Sequence, residues 1–531
     1  MNFSKQQLWE RFQKYYTEFP TLGMSLDLSR INFDETFFKK MEAHLEKAFT
    51  DMRALEAGAI ANPDEGRMVG HYWLRNPDLA PTPEIRQEIE TTLAHVQAFA
   101  NEVHTGAVSG TNGPFKNFLL IGIGGSALGP QFVAHALGHP VTDKLHPHFF
   151  DNTDPDGMHR VLAMLAGDLG KTLCLVISKS GGTKETRNGM LEAKAAYEAA
   201  GLDFGKHTVA VTQEGSALDD YSTANGWLRR FPMWDWVGGR TSQMSVVGLL
   251  PAALQGFNIT KILAGAKACD QVTKAPHLAT NPAAQLAAAW FQIGGGKGKK
   301  CMVVLPYRDR LELLSRYLQQ LVMESLGKEF DLVGNLVHQG ITVFGNKGST
   351  DQHSYVQQLR DGLDNSFVLF INVLTDHLHT PLSVENQATS ADFLNGFYLG
   401  TRQALSERGR ESISITLQEV SPFSVGALIA LFERAVGYYA SLIGINAYHQ
   451  PGVEAGKKAA ASILDLQRRI LKCLANAHGA PLTVKEISMA AEATADIEHV
   501  FRICEHLNAS QGSGVIKLPA NSWLESAYLK P

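Results

Sequence analysis

Six residues, Ser178-Lys-Ser-Gly-Gly-Thr183, bring three hydroxyls, a lysine and two glycines together. That set suits an anion. The hydroxyls of Ser178, Ser180 and Thr183 donate, Lys179 adds a full charge, and Gly181-Gly182 let the backbone come close to a ligand. Residues 172–177 before the loop form a short apolar run rich in β-formers, and residues 185–199 after it carry good helix formers. The loop therefore opens a helix, whose free N–H groups and positive dipole end point at one place. It is not a Walker A loop, because the Gly-Lys-Ser/Thr ending is missing. The plainer alternative is an ordinary strand-to-helix turn.

Two further loops at expected strand ends are glycine-rich. Gly122-Ile-Gly-Gly-Ser-Ala-Leu-Gly129 puts Gly125 and the Ser126 hydroxyl where a small ligand would lie. Its Gly122-x-Gly124-x-x-Ala127 spacing also fits a relaxed dinucleotide fingerprint, with Asp151 about where a ribose-binding acid would sit. A second anion loop two strands later favours a small phosphorylated ligand instead. Val237-Gly-Gly-Arg240 offers a cation that serves either as a fixed charge for a ligand or as half of a structural ion pair.

Proton-transfer candidates lie further along. Residues 310–326 read as a helix with Leu311, Leu314, Leu318, Leu321 and Val322 on its core side, stopped by Gly327 as a left-handed cap. Glu324 then sits in the last turn, beside the negative end of the dipole. An anion is disfavoured there, which suits a carboxylate to act as a general base; the alternative is a surface glutamate. His353, in a polar turn, could shuttle protons near neutral pH or simply be solvated. Lys457, in a helix opened by Gln450-Pro-Gly, is chemically ambiguous in the same way.

The elements that must carry these residues alternate strand and helix from residue 117 onward. Strands are expected at 118–123, 148–152, 172–177, 207–212 and 231–237, and again at 301–305, 341–344 and 367–372 beyond the Gly294-Gly-Gly-Lys-Gly joint. That alternation predicts doubly wound parallel sheets, with ligands beyond the carboxyl ends of the strands. Residues 1–115 read as a mostly helical arm whose charges are salt-bridged scaffold. The 531 residues allow two to four domains, and 44% hydrophobic with 19% charged residues is ordinary for a globular chain. A net charge of 48 − 53 = −5 gives no support to a nucleic-acid or anionic-membrane partner. Five scattered cysteines without Cys-x-x-Cys spacing point to free thiols in a reducing compartment and to no zinc site. With no leader-like N-terminus and no uninterrupted apolar run of ~18 residues, the expectation is a soluble cytoplasmic protein.

Taken together, the chain resembles the glucose-6-phosphate isomerase family, whose two halves are sugar-isomerase, phosphosugar-binding domains. Seven segments carry the resemblance in order: Glu65-Gly-Arg67 with Leu74-Arg75; Gly122-Ile-Gly-Gly-Ser126; Ser178-Lys179 through Glu185-Thr186; Val237-Gly-Gly-Arg240-x-Ser242; Met323-Glu-Ser-x-Gly-Lys328; Gln352-His353-Ser354; and Gln450-Pro-Gly-Val-Glu-x-Gly-Lys457. The resemblance implies that Ser178, Lys179, Ser180 and Thr183 hold a sugar phosphate and that Gly125 and Ser126 line the sugar. It implies that His353, from the neighbouring subunit of a homodimer, and Lys457 assist ring opening. Glu324 would move a proton between carbons 2 and 1 through a cis-enediol, Arg240 would stabilise the enediolate, and Gln450 would position the substrate. No cofactor or metal is implied. Departures from the family pattern fall at Ser180-Gly-Gly182, at Leu326 and at Ala447-Tyr-His449.

The expected architecture is thus a helical arm (1–115), two α-β-α sandwich domains (116–285 and 286–463) and an appendage (464–531). In the appendage, helices at 464–477, 483–493 and 494–508 precede a strand pair at 515–518 and 523–528, a winged-helix pattern. Its seven Lys and Arg are balanced by seven Asp and Glu, so protein packing is expected there rather than DNA. A non-catalytic sugar-phosphate sensor would keep the 178–183 loop without needing Glu324, Arg240, His353 and Lys457 together; this chain has all four.

Overall fold

The computed structural model describes residues 4–376 and 381–531; the side chains of residues 453–455, 457 and 458 also lie outside the description. By its contacts the chain divides into two compact units, Met1–His449 and Gln450–Pro531.

The first unit is organised by two sheets, one wholly parallel and one parallel except at one edge. In the first sheet the strands β3 (Asn117–Ile121), β4 (His146–Phe150), β5 (Thr172–Ile177), β6 (Thr208–Thr212) and β7 (Arg229–Pro232) pair in the order β4-β3-β5-β6-β7. Every pairing is parallel. Alternate residues go to opposite faces: Phe118 and Leu120 join one core cluster, Leu119 and Ile121 another. Burial on both faces explains why these strands read as continuous apolar runs. From β3 the chain winds first to one side and then to the other. The crevice between the carboxyl ends of β3 and β5 is therefore a topological switch point.

The second sheet runs β1-β2-β15-β12-β8-β11. Strands β8 (Cys301–Pro306), β11 (Val343–Phe344), β12 (Ser366–Val373) and β15 (Ser412–Leu417) are parallel. Short hairpins, β9 (Lys328–Phe330) with β10 (Leu336–Gln339) and β13 (Ser383–Glu385) with β14 (Ala388–Thr389), decorate it. The edge comes from the N-terminal region. β1 (Tyr16–Phe19) and β2 (Met24–Arg30) form an antiparallel hairpin, and β2 pairs antiparallel with β15. Residues 1–115 are therefore not helical throughout. The period-2 alternation of Met24, Leu26 and Leu28 marks a strand that needs β15 as its partner.

Helices Phe37–Glu56, Val246–Gln255, Ile259–Thr273, Pro282–Gly294 and Pro422–Leu442 supply much of the continuous core shared by the inner faces of both sheets. A buried ionic cluster lies among them. Arg75 pairs with Asp270 at 2.6 Å and with Glu433, and Arg434 pairs with Asp270 at 2.9 Å and Glu56 at 2.5 Å. The Arg434 guanidinium also stacks 4.0 Å from the Tyr72 ring centroid. Pro422–Leu442 is long and apolar enough to cross a membrane, but it is 89% buried inside the protein and brings Glu433 and Arg434 into this cluster.

The second unit starts with the helix Pro451–Asn476. The helices Val484–Ala490 and Ile497–Ala509 follow, with β16 (Leu482–Thr483), β17 (Ile516–Leu518) and β18 (Ala527–Leu529) in the antiparallel order β16-β18-β17. The Thr483–Glu486 capping box is present. The helix expected over 483–493 stops at Ala490, and Glu492 takes a left-handed φ of 51°. Residues 523–525 form a turn rather than the start of the last strand.

Candidate active site

The 178–183 loop leaves β5 and enters the helix Lys184–Ala199. Thr183 is the N-cap residue but makes no capping bond, so its hydroxyl and the N–H groups of the first turn remain available to a ligand. The Ser180 hydroxyl accepts from the Gly182 N–H at 3.2 Å, and the buried Ser178 hydroxyl donates weakly to Thr183 at 3.4 Å. Gly181 has φ +68°, and a Cβ there would stand 2.3 Å from the Leu218 nitrogen, so no other residue fits the turn. Lys179 is not a free cation in this loop. Its Nζ donates to the Asp235 carbonyl at 3.1 Å and lies 3.4 Å from the Asp235 carboxylate. Burial lowers its pKa, with Asp235 opposing. Arg67, from the turn closed by Asn62 and Arg67, reaches the same Asp235 at 3.7 Å. The N-terminal region, expected to be scaffold only, thus adds charge beside the anion loop.

Lys179 also donates to the Val237 carbonyl at 3.4 Å, which ties the anion loop to the segment leading into Arg240. Residues expected to continue the last strand to 237 instead turn, with Val237 N–H bonded to the Trp234 carbonyl. Arg240, in the 3-10 turn Gly239–Thr241, is 5% exposed. Its Nε donates to the Ser325 hydroxyl at 2.7 Å and its Nη1 to Glu324 Oε2 at 3.2 Å. Its Nη2 donates to the carbonyls of Ala447 and, at 2.9 Å, His449. Burial depresses its pKa and Glu324 opposes the shift. The planar fork is held on every side, as a fixed cation requires.

Glu324 does not end a regular capped helix. The segment runs as a 3-10 turn Asp309–Leu311, an α-helix Leu314–Leu318 and a π-helix Gln319–Glu324. Gly327 is not left-handed. It is glycine because a Cβ would stand 2.7 Å from the Met323 carbonyl oxygen. The wider π turn, a feature common at functional sites, stacks Gln320 on Glu324, and Gln320 Nε2 donates to Glu324 Oε2 at 3.2 Å. Glu324 is 20% exposed, and its charge environment is set by Arg240 as well as by the helix end.

The 122–129 loop closes the ring. Gly124 sits against Gln320: a Cβ there would lie 3.0 Å from Gln320 Nε2. The Ser242 hydroxyl contacts the Gly125 carbonyl at 3.3 Å. Gly125 packs so closely on Gly239 that a Cβ would be 2.0 Å from its carbonyl oxygen. Ser126 ends the 3-10 turn Gly124–Ser126. Gly125, Ser126, Arg240 and Glu324 are thereby gathered at the first sheet's switch point, beside the loop of Ser178, Lys179, Ser180 and Thr183.

His353 is not joined to this group by any described contact, and Gln450 and Lys457 belong to the second unit. His353 is exposed at the end of the 3-10 turn Thr350–His353. Gln450 is the exposed N-cap of the helix Pro451–Asn476, and the side chain of Lys457 lies outside the described residues. Three- to four-residue spacing puts Gln320 on the side of Glu324 in the sequence but gives it no role, and Lys328 stood unassigned in a quoted motif. Such a group can bind an anion, take a proton from carbon and stabilise charge on an adjacent oxygen.

Comparison with known proteins agrees with the geometry. The phosphoglucose isomerase family model matches residues 27–401 and 401–475. Glucose-6-phosphate isomerase of Geotalea daltonii is 57% identical over 514 residues, 97% of this chain and 97% of that protein. The protein of that name from Geobacter sp. strain M21 is 58% identical over 525 residues, 99% of each. The crystal structure of a glucose-6-phosphate isomerase from Chlamydia trachomatis superposes with a TM-score of 0.78 at 26% identity, covering 87% of this chain and 92% of that one. Matched along nearly its whole length by relatives more than half identical to it, the chain belongs to the phosphoglucose isomerase family.

Proposed function

We propose that the chain interconverts D-glucose 6-phosphate and D-fructose 6-phosphate, an aldose–ketose isomerisation of glycolysis and gluconeogenesis. The observation that carries this reading is the Arg240–Glu324 pair at 3.2 Å beside the Gly125-Ser126 turn. The difficult step is removal of a proton next to a carbonyl. A positioned carboxylate and a fixed cation where negative charge develops meet that need without a metal.

In this reading Ser178, Lys179, Ser180 and Thr183 hold the phosphate, and Gly125 and Ser126 line the sugar. His353, offered across a homodimer, and Lys457 open the ring by proton transfer at its oxygen. Glu324 then carries the proton between carbons 2 and 1 through a cis-enediol, Arg240 stabilises the enediolate oxygens, and Gln450 positions the chain of carbons. The first sheet with its helices supports a sugar-isomerase domain at 116–285, and the parallel strands β8, β11, β12 and β15 with theirs support a second at 286–463, with residues 1–115 as an N-terminal arm. The helix–strand–helix–helix–strand–strand order of the last unit supports a winged-helix-like appendage at 464–531, and its balanced charge supports protein packing over nucleic acid. The enzyme works in the cytoplasm, away from membranes.

The test is fructose 6-phosphate turnover in chelator-treated buffer, coupled to glucose 6-phosphate oxidation, for wild type and Glu324→Gln. Loss of about 10²–10⁴-fold in kcat for the variant is expected. Equal rates in the two proteins would remove Glu324 from its role as base. Tight sugar-phosphate binding without turnover in wild type would point to a sensor instead.

A further inference from the structure

We propose that Lys328 is a positioning residue for this site: its ammonium clips the main chain of the candidate base Glu324 to the segment 447–449, and so holds Glu324 and Arg240 in register. The inference rests on the isomerase reading of the site.

Lys328 opens β9, four residues after Glu324, and is 5% exposed. Its Nζ donates to the Glu324 carbonyl at 2.7 Å and to the His449 carbonyl at 2.9 Å. The same His449 carbonyl accepts from Arg240 Nη2 at 2.9 Å. Two cations from separate segments thus converge on one acceptor, and each also grips Glu324, Arg240 by its carboxylate and Lys328 by its backbone. Carbonyls at the C-terminal end of a helix lack intrahelical donors, and an ammonium is their natural partner. The π turn depends on such tertiary contacts, since its own hydrogen bonds are those of a rare and less stable helix. The clip adds a main-chain anchor to the side-chain bonds that Glu324 makes with Arg240 and Gln320.

Four titratable or charged groups face Lys328: Arg240, Glu324, His449 and, from the 62–67 turn, Asp64. Burial first, and Arg240 second, push its pKa down to about 7, with Glu324 and Asp64 opposing. Burial and the Lys328 charge in turn lower the pKa of the His449 imidazole. The clip is therefore about half-charged near pH 7, gaining charge below that pH and losing it above. A neutral amine still donates hydrogen bonds, but roughly half as strongly, so the base loosens as pH rises.

The experiment compares kcat and KM for fructose 6-phosphate across pH 5.5 to 9.5 in wild type, Lys328→Met and Lys328→Arg, with thermal melts of each. Expected are an alkaline limb of kcat near pH 7 in wild type and a loss of about tenfold or more in kcat at pH 7 in Lys328→Met. KM should stay within about threefold in that variant, and its alkaline limb should disappear. Lys328→Arg, which keeps its charge, should recover much of kcat and move the limb upward. A Lys328→Met enzyme with wild-type kcat and profile overturns the inference. So does a parallel loss in both variants with the wild-type pH profile retained, which is what a purely structural lysine would give. If Lys328→Met does not fold, an unmoved limb in Lys328→Arg is decisive against it. Glu324→Gln, run alongside, separates the two readings. An inactive Glu324→Gln with an indifferent Lys328→Met sinks the clip alone, whereas an active Glu324→Gln sinks the assignment of the base and the clip with it.

Discussion

Gly125→Ala is the sharpest test of how the site is built. A Cβ on Gly125 would lie 2.0 Å from the Gly239 carbonyl oxygen, 2.2 Å from its carbonyl carbon and 2.8 Å from its Cα. Ordinary contact begins at 3.4 Å, so the two loops must part by 3.4 − 2.0, about 1.4 Å, at the closest atom. The obstacle is backbone on both sides and cannot swing away as a side chain can. Gly239 is bonded to Arg240, which is pinned by Ser325, Glu324 and the 447–449 carbonyls. Either Arg240 is dragged from the base, or the Gly124–Ser126 turn is pushed off Gln320 and the sugar. A misplacement near 1 Å costs about 10²-fold in rate, and overpacking of this kind costs ~1–3 kcal/mol of stability. The assay is the initial rate of fructose 6-phosphate isomerisation together with thermal denaturation. Gly239→Ala serves as the stability control, because a Cβ there meets nothing within 4 Å. A folded Gly125→Ala enzyme with wild-type turnover would refute the claim that close packing of these two loops sets the geometry of Arg240.

Three other outcomes follow from buried charge. Arg75→Met would leave Glu433 without its guanidinium and Asp270 with Arg434 alone, and should cost about 3–5 kcal/mol in urea denaturation. Glu433→Gln should cost much less, because burial already pushes that carboxyl up to about 7. Lys328 also links stability to pH. Its folded pKa of about 7 lies below the ordinary 10.5, so between those values the unfolded chain binds more protons and stability rises with pH. The upper bound on that rise is ~5 kcal/mol. Denaturation at pH 7 and pH 9 should show the rise in wild type and its absence in Lys328→Met.

Local pattern was enough where local physics decides. β5 runs over the residues its apolar run predicts, and the anion loop and following helix come directly after it. The Thr483 capping box was legible for the same reason. What escaped the sequence depends on partners far away in the chain. The π turn at Gln319–Glu324 has no propensity signal; it accompanies packing of Gln320 on Gly124 and of Glu324 on an arginine 84 residues earlier. Gly327 looked like a left-handed cap, but the requirement for glycine comes from the crowding Met323 carbonyl. Lys328 was visible as a residue type, yet spacing alone does not say which carbonyls a lysine will reach. β2 carried its alternation openly and was missed because its pairing partner, β15, lies near the other end of the unit.

That last pairing has a consequence for synthesis. The ribosome makes β2 early, but the strand it docks on is complete only at Leu417. At ~5–20 residues per second the wait is roughly 20–80 s. Throughout that time Met24, Leu26 and Leu28 are without the strand that completes their edge of the sheet, and an uncovered apolar β-segment is the kind of surface that recruits strands from other chains. The sheet that begins first in the chain therefore closes among the last, and the nascent N-terminus needs shielding for most of the protein's birth.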